Sequence, residues 1–204
     1  MSIQSYCEGM SERKNKHYLN LYIKLINLIK IISFMGELIL VPEYKKIEGP
    51  VIFLAGPIQG SEDWQKEGVE YVLKNSKFNV ASPRRDYLPG KFVYDEQVDW
   101  ETHYLNEAAK NGCIIFWLAK ESKHQCDRAY AQTTRFEIAE WTTHHQYDNS
   151  INIVVGIEQG FTGAKYIRKR LINDCPDIPL FNNLEDACEC AIFLTQSSQD
   201  LGVQ

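Results

Sequence analysis

Five short apolar runs within residues 51–181 constrain the fold of this chain more than any other feature. Glycine, proline or polar residues bound the runs, and segments with helical character separate them. The runs are VIFLAG (51–56), KFNVASP (77–83), CIIFWLA (113–119), NIVVGI (152–157) and IPLF (178–181). Continuous apolar runs of this length are typical of strands buried on both faces of a parallel sheet. The sequence therefore predicts an α/β fold whose crossover helices cover both faces.

The segments between the runs predict five helices and complete a topology. They span residues 61–75, 95–112, 133–146, 163–174 and 183–197. Five parallel strands with helices on both faces predict a doubly wound, flavodoxin-like sheet of order 2-1-3-4-5. Ligands of such sheets bind beyond the carboxyl ends of the strands, where the strand order reverses. The elements expected around that crevice are the turn 55–60, the loops 82–98 and 119–133, and the start of the helix 133–146.

Residues 1–45 differ from the rest and are predicted to be an N-terminal extension to a domain of residues 46–204. Residues 17–35 are apolar, but Asn20, Lys24 and Asn27 would form one polar stripe on a helix. A membrane span needs about 20 largely uncharged residues, so an appended amphipathic helix is the better prediction. Alternatively, Met35 is the natural start of the protein.

Composition excludes several classes of function. A net charge of −5 leaves no broad basic field for a nucleic-acid backbone, so no nucleic-acid partner is expected. No membrane partner is expected either. The six cysteines form no C-x-x-C pair, which favours a reduced, cytoplasmic protein. The histidines lack metal-ligand spacing, and we expect neither a metal site nor a cofactor.

The segment AGPIQG (55–60) predicts a tight turn after the first core strand. Gly56 and Gly60 bracket it, and its backbone N–H groups could face a polar ligand. The segment matches neither the nucleotide-triphosphate loop nor the dinucleotide motif. Any parallel sheet needs such a turn, so a purely structural role stays open.

Glu137, in the stretch RFEIAEW (135–141), has two interpretations. Thr134 and Glu137 match a capping box, in which the glutamate bonds back to the backbone of the cap residue. Alternatively, Glu137 is a nucleophile, because a carboxylate in the first turn of a helix is favoured as the anion.

The stretch DEQVDWETHYL (95–105) supplies a second group of carboxylates. Asp99 and Glu101 could face Glu137 across the crevice, and glycoside chemistry with retention uses two such carboxyls about 5 Å apart. A solvated acidic helix start is the alternative.

Aromatic and basic side chains near the crevice could bind a substrate. Trp64, Trp100 and Tyr130 could offer flat faces to a base, although single aromatic residues also belong to cores. Arg84 and Arg85 could bind an anionic substituent, and Arg135 could form a surface ion pair or contact the substrate.

Taken together, VIFLAGPIQG, SPRRDY, QVDWETHYL, CIIFWLA and YAQTTRFEIAEW resemble the nucleoside 2-deoxyribosyltransferase family, in particular its 2-deoxyribosyltransferase-like branch. The resemblance covers about residues 41–160. It implies a flavodoxin-like fold and cleavage of the N-glycosidic bond of a 2′-deoxynucleoside. A glutamate would hold the deoxyribosyl group covalently before a second nucleobase or water takes it. A homo-oligomer is implied by analogy.

The resemblance also implies roles for residues of this chain. Glu137, the last residue of the segment Thr133–Glu137, would be the nucleophile. Asp99 and Glu101 are the candidates for the supporting carboxylate, and Asp99 is preferred. The glycine and aspartate usual in the family's segment are missing here, which suits a 5′-phosphate met by Arg135 or Arg84. Thr134 would contact the substrate, and the floor of the site would consist of Gly56, Pro57, Ile58 and Gln59.

Three functions follow as hypotheses. The first is deoxyribosyl transfer between nucleobases, with a nucleoside or nucleotide and a free nucleobase as small-molecule partners. The second is hydrolysis of a 2′-deoxynucleoside 5′-monophosphate. The third is a non-catalytic module that senses nucleotides, which predicts binding without turnover.

Overall fold

A computed structural model of the chain describes residues 36–85 and 92–202. The amphipathic helix expected within residues 17–35 lies outside the described residues. The division of the chain between residues 45 and 46 stays a prediction.

The described residues form one parallel sheet of six strands. The strands are β1 (Leu38–Leu40), β2 (Val51–Ala55), β3 (Asn79–Ser82), β4 (Cys113–Leu118), β5 (Ile153–Ile157) and β6 (Leu180–Phe181). Their order across the sheet is β1-β3-β2-β4-β5-β6, and every neighbouring pair is parallel. For the five strands expected from the sequence, this is the predicted order 2-1-3-4-5, so the flavodoxin-like fold is confirmed.

The predicted count of five strands was wrong, because β1 adds a sixth at the edge of the sheet. Leu38 pairs with Val80, and Leu40 pairs with Ser82. The strand has three residues and is soon followed by Pro42, so its sequence lacks the long apolar run that marks the central strands. It lies within the segment that was expected to be an extension.

Five helices connect the strands and cover both faces of the sheet. They are α1 (Trp64–Asn75), α2 (Tyr94–Asn111), α3 (Gln132–Tyr147), α4 (Ala164–Asp174) and α5 (Leu184–Gly202). Residues of α1 and α5 pack with Ile52 and Leu54 in one apolar cluster. Residues of α2, α3 and α4 pack with Phe53 and Ala55 in the other. Successive residues of β2 thus serve opposite cores, as the two-residue period of a strand requires.

The turn after β2 depends on a close approach between backbone and core. A Cβ atom on Gly56 would lie 2.3 Å from the carbonyl oxygen of Trp117 and 2.6 Å from the ring of Trp64. Because glycine has no Cβ atom, the turn can pass close to the end of β4, where the strand order reverses.

None of the described helices is both long and apolar enough to cross a membrane.

Candidate active site

A cleft of about 200 Å³ lies at the carboxyl end of β2, between the start of α2 and the start of α3. Three parts of the chain form it: the end of β2 with its turn, the segment from Phe92 to Glu101, and the loop that leads into α3. The lining residues are Phe53, Ala55, Gly56, Pro57, Ile58, Gln59, Pro83, Phe92, Tyr94, Gln97, Val98, Glu101, Arg128, Ala131, Gln132, Thr133, Thr134 and Glu137.

Glu137 lines this cleft and is not half of a capping box. Helix α3 begins at Gln132, its N-cap residue is Ala131, and no side chain caps it. Thr134 is therefore inside the first turn, and Glu137 lies in the second. Among the described residues, no donor forms a hydrogen bond with the Glu137 carboxyl. The side chain is half-buried and available to a ligand in the cleft.

From the sequence, Glu137 was expected to be an anion that the helix N-terminus stabilises. The surroundings of its carboxyl favour the protonated form instead. Burial raises the pKa of Glu137 to about 8, and the negative charges of Glu101 and Glu140 add to the rise. The stabilising effect of a helix N-terminus is confined to the first turn, and Glu137 lies beyond it. Desolvation therefore decides the pKa, and the neutral acid is the main form at pH 7.

Glu101 supplies a second carboxyl to the same cleft from α2. Gln97, one turn earlier on the helix, donates one hydrogen bond to Glu101 Oε1 at 2.6 Å and another to the carbonyl oxygen of Pro83 at 3.0 Å. Burial raises the pKa of Glu101, whereas the Gln97 hydrogen bond and the charge of Arg85 oppose the rise. Of the two carboxyls, Glu101 is thus the better stabilised as an anion.

Asp99 lies elsewhere on α2. Its side chain is exposed, and it does not line the cleft. Residues two positions apart point about 200° apart around a helix, so Asp99 and Glu101 cannot face the same side. The sequence-based preference for Asp99 over Glu101 does not match this placement.

The residues of this cleft belong to a stretch that matches a known family. The family model described as nucleoside 2-deoxyribosyltransferase like matches residues 49–161, more than half of the chain. The chain belongs to the nucleoside 2-deoxyribosyltransferase-like family. A comparison with curated proteins gives no match. Membership indicates an enzyme of the nucleoside deoxyribosyltransferase type, with nucleosides and nucleobases as the related substrate class.

In this family member, the turn Gly56–Gln59 lines the cleft as expected, and Arg84 holds that turn from behind. The Arg84 guanidinium donates to the carbonyl oxygens of Ile58 and Glu62 at 3.2 and 2.9 Å. It also pairs with Asp63 at 2.9 Å. Arg84 does not line the cleft, and its donors are committed to the turn.

The other two predicted arginines also lie outside the cleft lining. Arg135 donates to the carbonyl oxygen of Thr162 at 2.6 Å and stacks over the ring of Phe161 at 4.7 Å. Arg85 pairs with Glu96 at 3.3 Å and lies 4.9 Å from the centre of the Phe92 ring. Both contribute to the structure around the site of this deoxyribosyltransferase-like protein, and Arg85 also acts on Glu101 through its charge.

The three aromatic side chains predicted to offer faces to a base do not line the cleft. Trp64 and Trp100 are buried in the two cores, and their indole N–H groups donate to the carbonyl oxygens of Pro57 and Glu43. The Tyr130 hydroxyl donates to the carbonyl oxygen of Ala119 at 2.8 Å. This placement agrees with the alternative interpretation, in which single aromatic residues belong to cores.

The cleft residues that sequence reasoning missed include Phe92, Tyr94, Gln97 and Arg128. The spacing of four between Gln97 and Glu101 places them on one helix face, so Gln97 could have been found once Glu101 was chosen. Phe92 and Tyr94 precede or begin α2, and Arg128 lies in the loop before α3. Their sequence carries no comparable signal. Within residues 36–85 and 92–202, no group of three or more His, Cys, Asp or Glu side chains is suited to hold a metal ion.

Proposed function

We propose that this protein cleaves the N-glycosidic bond of a 2′-deoxynucleoside and transfers the deoxyribosyl group to a second nucleobase, with Glu137 as nucleophile. One observation supports the proposal most strongly. Glu137 and Glu101 line one cleft at the switch point of the sheet, within the stretch that matches the family. Family membership alone does not specify the reaction, whereas two carboxyls in one cleft are the groups that glycosyl transfer through a covalent intermediate uses.

The carboxyl pair supplies both an anion and a proton. The pair holds one proton, mainly on Glu137. When that proton moves to Glu101, the ionised Glu137 oxygen attacks C1′ of the sugar, and the bond between C1′ and the base nitrogen breaks. The bonding electrons stay on the base nitrogen, which takes the proton of the pair. The product is a glutamyl ester of deoxyribose and a neutral free base.

The second step reverses the first with a different base. A ring nitrogen of the incoming base attacks C1′ and gives its proton back to the carboxyl pair, while the ester bond to Glu137 breaks. Both transition states place positive charge on the sugar ring, and an ionised carboxylate close to the ring stabilises that charge. Glu101 serves both purposes in turn: it gives its proton to the departing base and, as it becomes ionised, stabilises the positive charge on the ring.

The rest of the cleft has a consistent role. The turn Gly56–Gln59 lines the cleft, and so do Phe92 and Tyr94, two exposed aromatic residues on which a planar base could stack. The Gln97 amide holds Glu101 in place through its bonds to Glu101 and Pro83.

Base exchange tests the proposal. Deoxyinosine is incubated with free adenine, and deoxyadenosine is measured by chromatography. The wild-type protein should form it, and Glu137→Gln should lower the rate by about a thousand-fold or more. Glu140→Gln is the matched control, because Glu140 is exposed one turn later on the same helix.

Three results are informative. Exchange that depends on Glu137 supports the proposal. Free deoxyribose without exchange would show a hydrolase instead of a transferase. Exchange by Glu137→Gln at the wild-type rate would overturn the role of Glu137.

A further inference from the structure

Gln97 is a buried cleft residue whose amide has a fixed orientation. It lies near the start of α2 and is only 5% exposed. Its Nε2 atom donates to the carbonyl oxygen of Pro83 at 3.0 Å and to Glu101 Oε1 at 2.6 Å. A carbonyl oxygen can only accept, so the amide nitrogen, and not the amide oxygen, must face Pro83. The backbone just after β3 therefore determines which way the Gln97 amide points.

The other end of the same amide indicates that this orientation has a role beyond packing. The Oε1 atom of Gln97 is enclosed and has no hydrogen-bond partner. A buried polar atom without a partner destabilises the folded state, and most buried polar atoms in proteins have one. An apolar side chain of similar size would avoid this loss. The two hydrogen bonds of Nε2 are therefore the property of Gln97 that the site uses.

The hydrogen bond from Gln97 determines where Glu101 can carry a proton. Nε2 has two hydrogen atoms, and both are used, one on Pro83 and one on Glu101 Oε1. Because Oε1 accepts this bond, the proton of a neutral Glu101 is on Oε2. Within residues 36–85 and 92–202, no other donor bonds the Glu101 carboxyl. Oε2 is thus the oxygen that is left for a ligand in the cleft.

The same hydrogen bond makes the two carboxyls of the cleft unequal. Burial raises the pKa of both Glu101 and Glu137, but the Gln97 amide and the charge of Arg85 lower that of Glu101. The charges of Glu101 and Glu140 raise the pKa of Glu137 further. Glu101 is therefore the stronger acid, and ionised Glu137 is the stronger base. This difference suits a proton donor beside a nucleophile.

We propose that Gln97 is the positioning residue of the carboxyl pair: its amide keeps the proton of Glu101 on Oε2, the oxygen that then protonates the departing base. The inference rests on the function proposed above, in which Glu101 gives its proton to that base. In this step the bond between Oε2 and hydrogen breaks, the base nitrogen takes the proton, and the negative charge stays on the Glu101 carboxylate. A hydrogen bond to an anion is stronger than one to a neutral acid. The Gln97 bond therefore strengthens as the base departs and stabilises the transition state more than the bound substrate.

Nuclear magnetic resonance on the free protein tests the contact. The side-chain amide protons of Gln97 and the carboxyl carbon of Glu101 are followed against pH, and Glu101→Gln assigns the carbon signal. One Gln97 amide proton should shift with the same midpoint as the Glu101 carbon. In Gln97→Met this midpoint should move to higher pH, because the Glu101 anion has lost a donor that stabilises it.

Gln65→Met is the matched control. Gln65 is a second buried glutamine with an unbonded amide atom, and it does not line the cleft. The midpoint of Glu101 should be the same in this variant as in the wild-type protein.

Base release from a 2′-deoxynucleoside measures what the contact contributes to the reaction. Gln97→Met should lower kcat about ten- to a hundred-fold and change KM little, as expected for the loss of a bond to a charged group that forms fully only in the transition state. The acid limb of the pH profile should move to higher pH together with the Glu101 midpoint. Gln65→Met should leave the acid limb in place.

The outcomes separate this inference from the function on which it rests. A Gln97 amide proton that does not respond to the ionisation of Glu101 would overturn the inference, even in an inactive protein. A Glu101 midpoint or a kcat that Gln97→Met leaves at the wild-type value would overturn it as well. If the resonance results are as predicted and no base is released, the proposed reaction fails, but the placement of the Glu101 proton is supported. If Gln97→Met does not fold, the wild-type amide signal alone decides.

Discussion

Glu101 on α2 and Glu137 on α3 line the same cleft, and the negative charge of Glu101 raises the pKa of Glu137. Burial is the larger cause and brings the pKa of Glu137 to about 8. Two neighbouring carboxyls in a poorly solvated site share one proton near neutral pH, because both anions together are unfavourable. The pair thus supplies both the nucleophile and the proton that the departing base takes. Four predictions about the described residues follow from this arrangement and from the backbone conformation at the start of α3.

The rate should depend on pH through the shared proton. With both carboxyls protonated no anion can attack C1′, and with both ionised the departing base receives no proton. We therefore expect kcat/KM to pass through a maximum and to fall by about tenfold per pH unit above a pKa of about 8. A profile of base release against pH measures this. A rate that still rises well above that pH would show that the proton of the pair is not used.

Glu101→Gln should lower activity and also move the titration of Glu137. Loss of a group that stabilises charge and holds a proton typically costs about 10²- to 10⁴-fold in rate. The pKa of Glu137 should fall, because one source of negative charge is gone, but burial keeps it above the ordinary value. With no second carboxyl to hold a proton, the residual rate should rise with pH through that pKa, as Glu137 becomes ionised, and should lack the fall above it. Asp99→Asn is the control on the exposed side of α2. If Asp99→Asn is the more damaging change, the assignment of Glu101 is wrong.

Glu137→Gln should stabilise the fold at alkaline pH. The folded protein holds the Glu137 proton up to about pH 8, whereas the unfolded chain releases it near its ordinary value of 4.5. Between these values the folded state binds more protons, so the free energy of unfolding falls as pH rises. Glutamine has no proton to lose, and the variant should gain about 2–4 kcal/mol over wild type at pH 8. Urea unfolding at pH 8 and at pH 4.5 measures the difference. An equal effect of the substitution at both pH values would contradict the raised pKa.

Ala131→Gly should stabilise the protein or leave its stability unchanged. Ala131 has φ 55° and ψ 32°, the left-handed conformation, just before α3. This conformation costs a non-glycine residue about 1–2 kcal/mol, and the extra freedom of glycine in the unfolded chain offsets part of the gain. The control is Ala139→Gly, in the exposed interior of the same helix, which should destabilise by about 1 kcal/mol. Equal destabilisation by the two changes would show that Ala131 is not strained in solution.

The sequence was a good guide to the central strands because burial on both faces leaves a continuous apolar run. The apolar runs around Phe53 and Ile115 are typical of central strands of a parallel sheet. The edge strand was not recognisable, since Leu38–Leu40 has only three residues and is exposed at one end. Strand order followed from the rules for parallel crossovers, and the position of the cleft followed from the strand order.

Side-chain roles were harder to predict because they depend on direction and neighbours. Glu137 was found through a motif, but the start of α3 at Gln132 removed its alternative role as a cap. To choose between Asp99 and Glu101, one must know which face of α2 packs on the sheet. Two acidic residues within one helical turn do not show this in the sequence. Arg84 and Arg128 look equally available in the sequence. Only the folded chain shows that Arg84 is bonded to the turn after β2, while Arg128 lines the cleft.

A covalent intermediate on Glu137 is the central claim, and mass spectrometry tests it most directly. The protein is mixed with a 2′-deoxynucleoside or its 5′-monophosphate without an acceptor base, quenched in acid and digested. We predict a deoxyribosyl or deoxyribosyl phosphate ester on the peptide that contains Glu137, absent from Glu137→Gln and lost when free adenine is added before the quench. Base release by wild type with no ester, or an ester on Glu101 instead of Glu137, would contradict the claim.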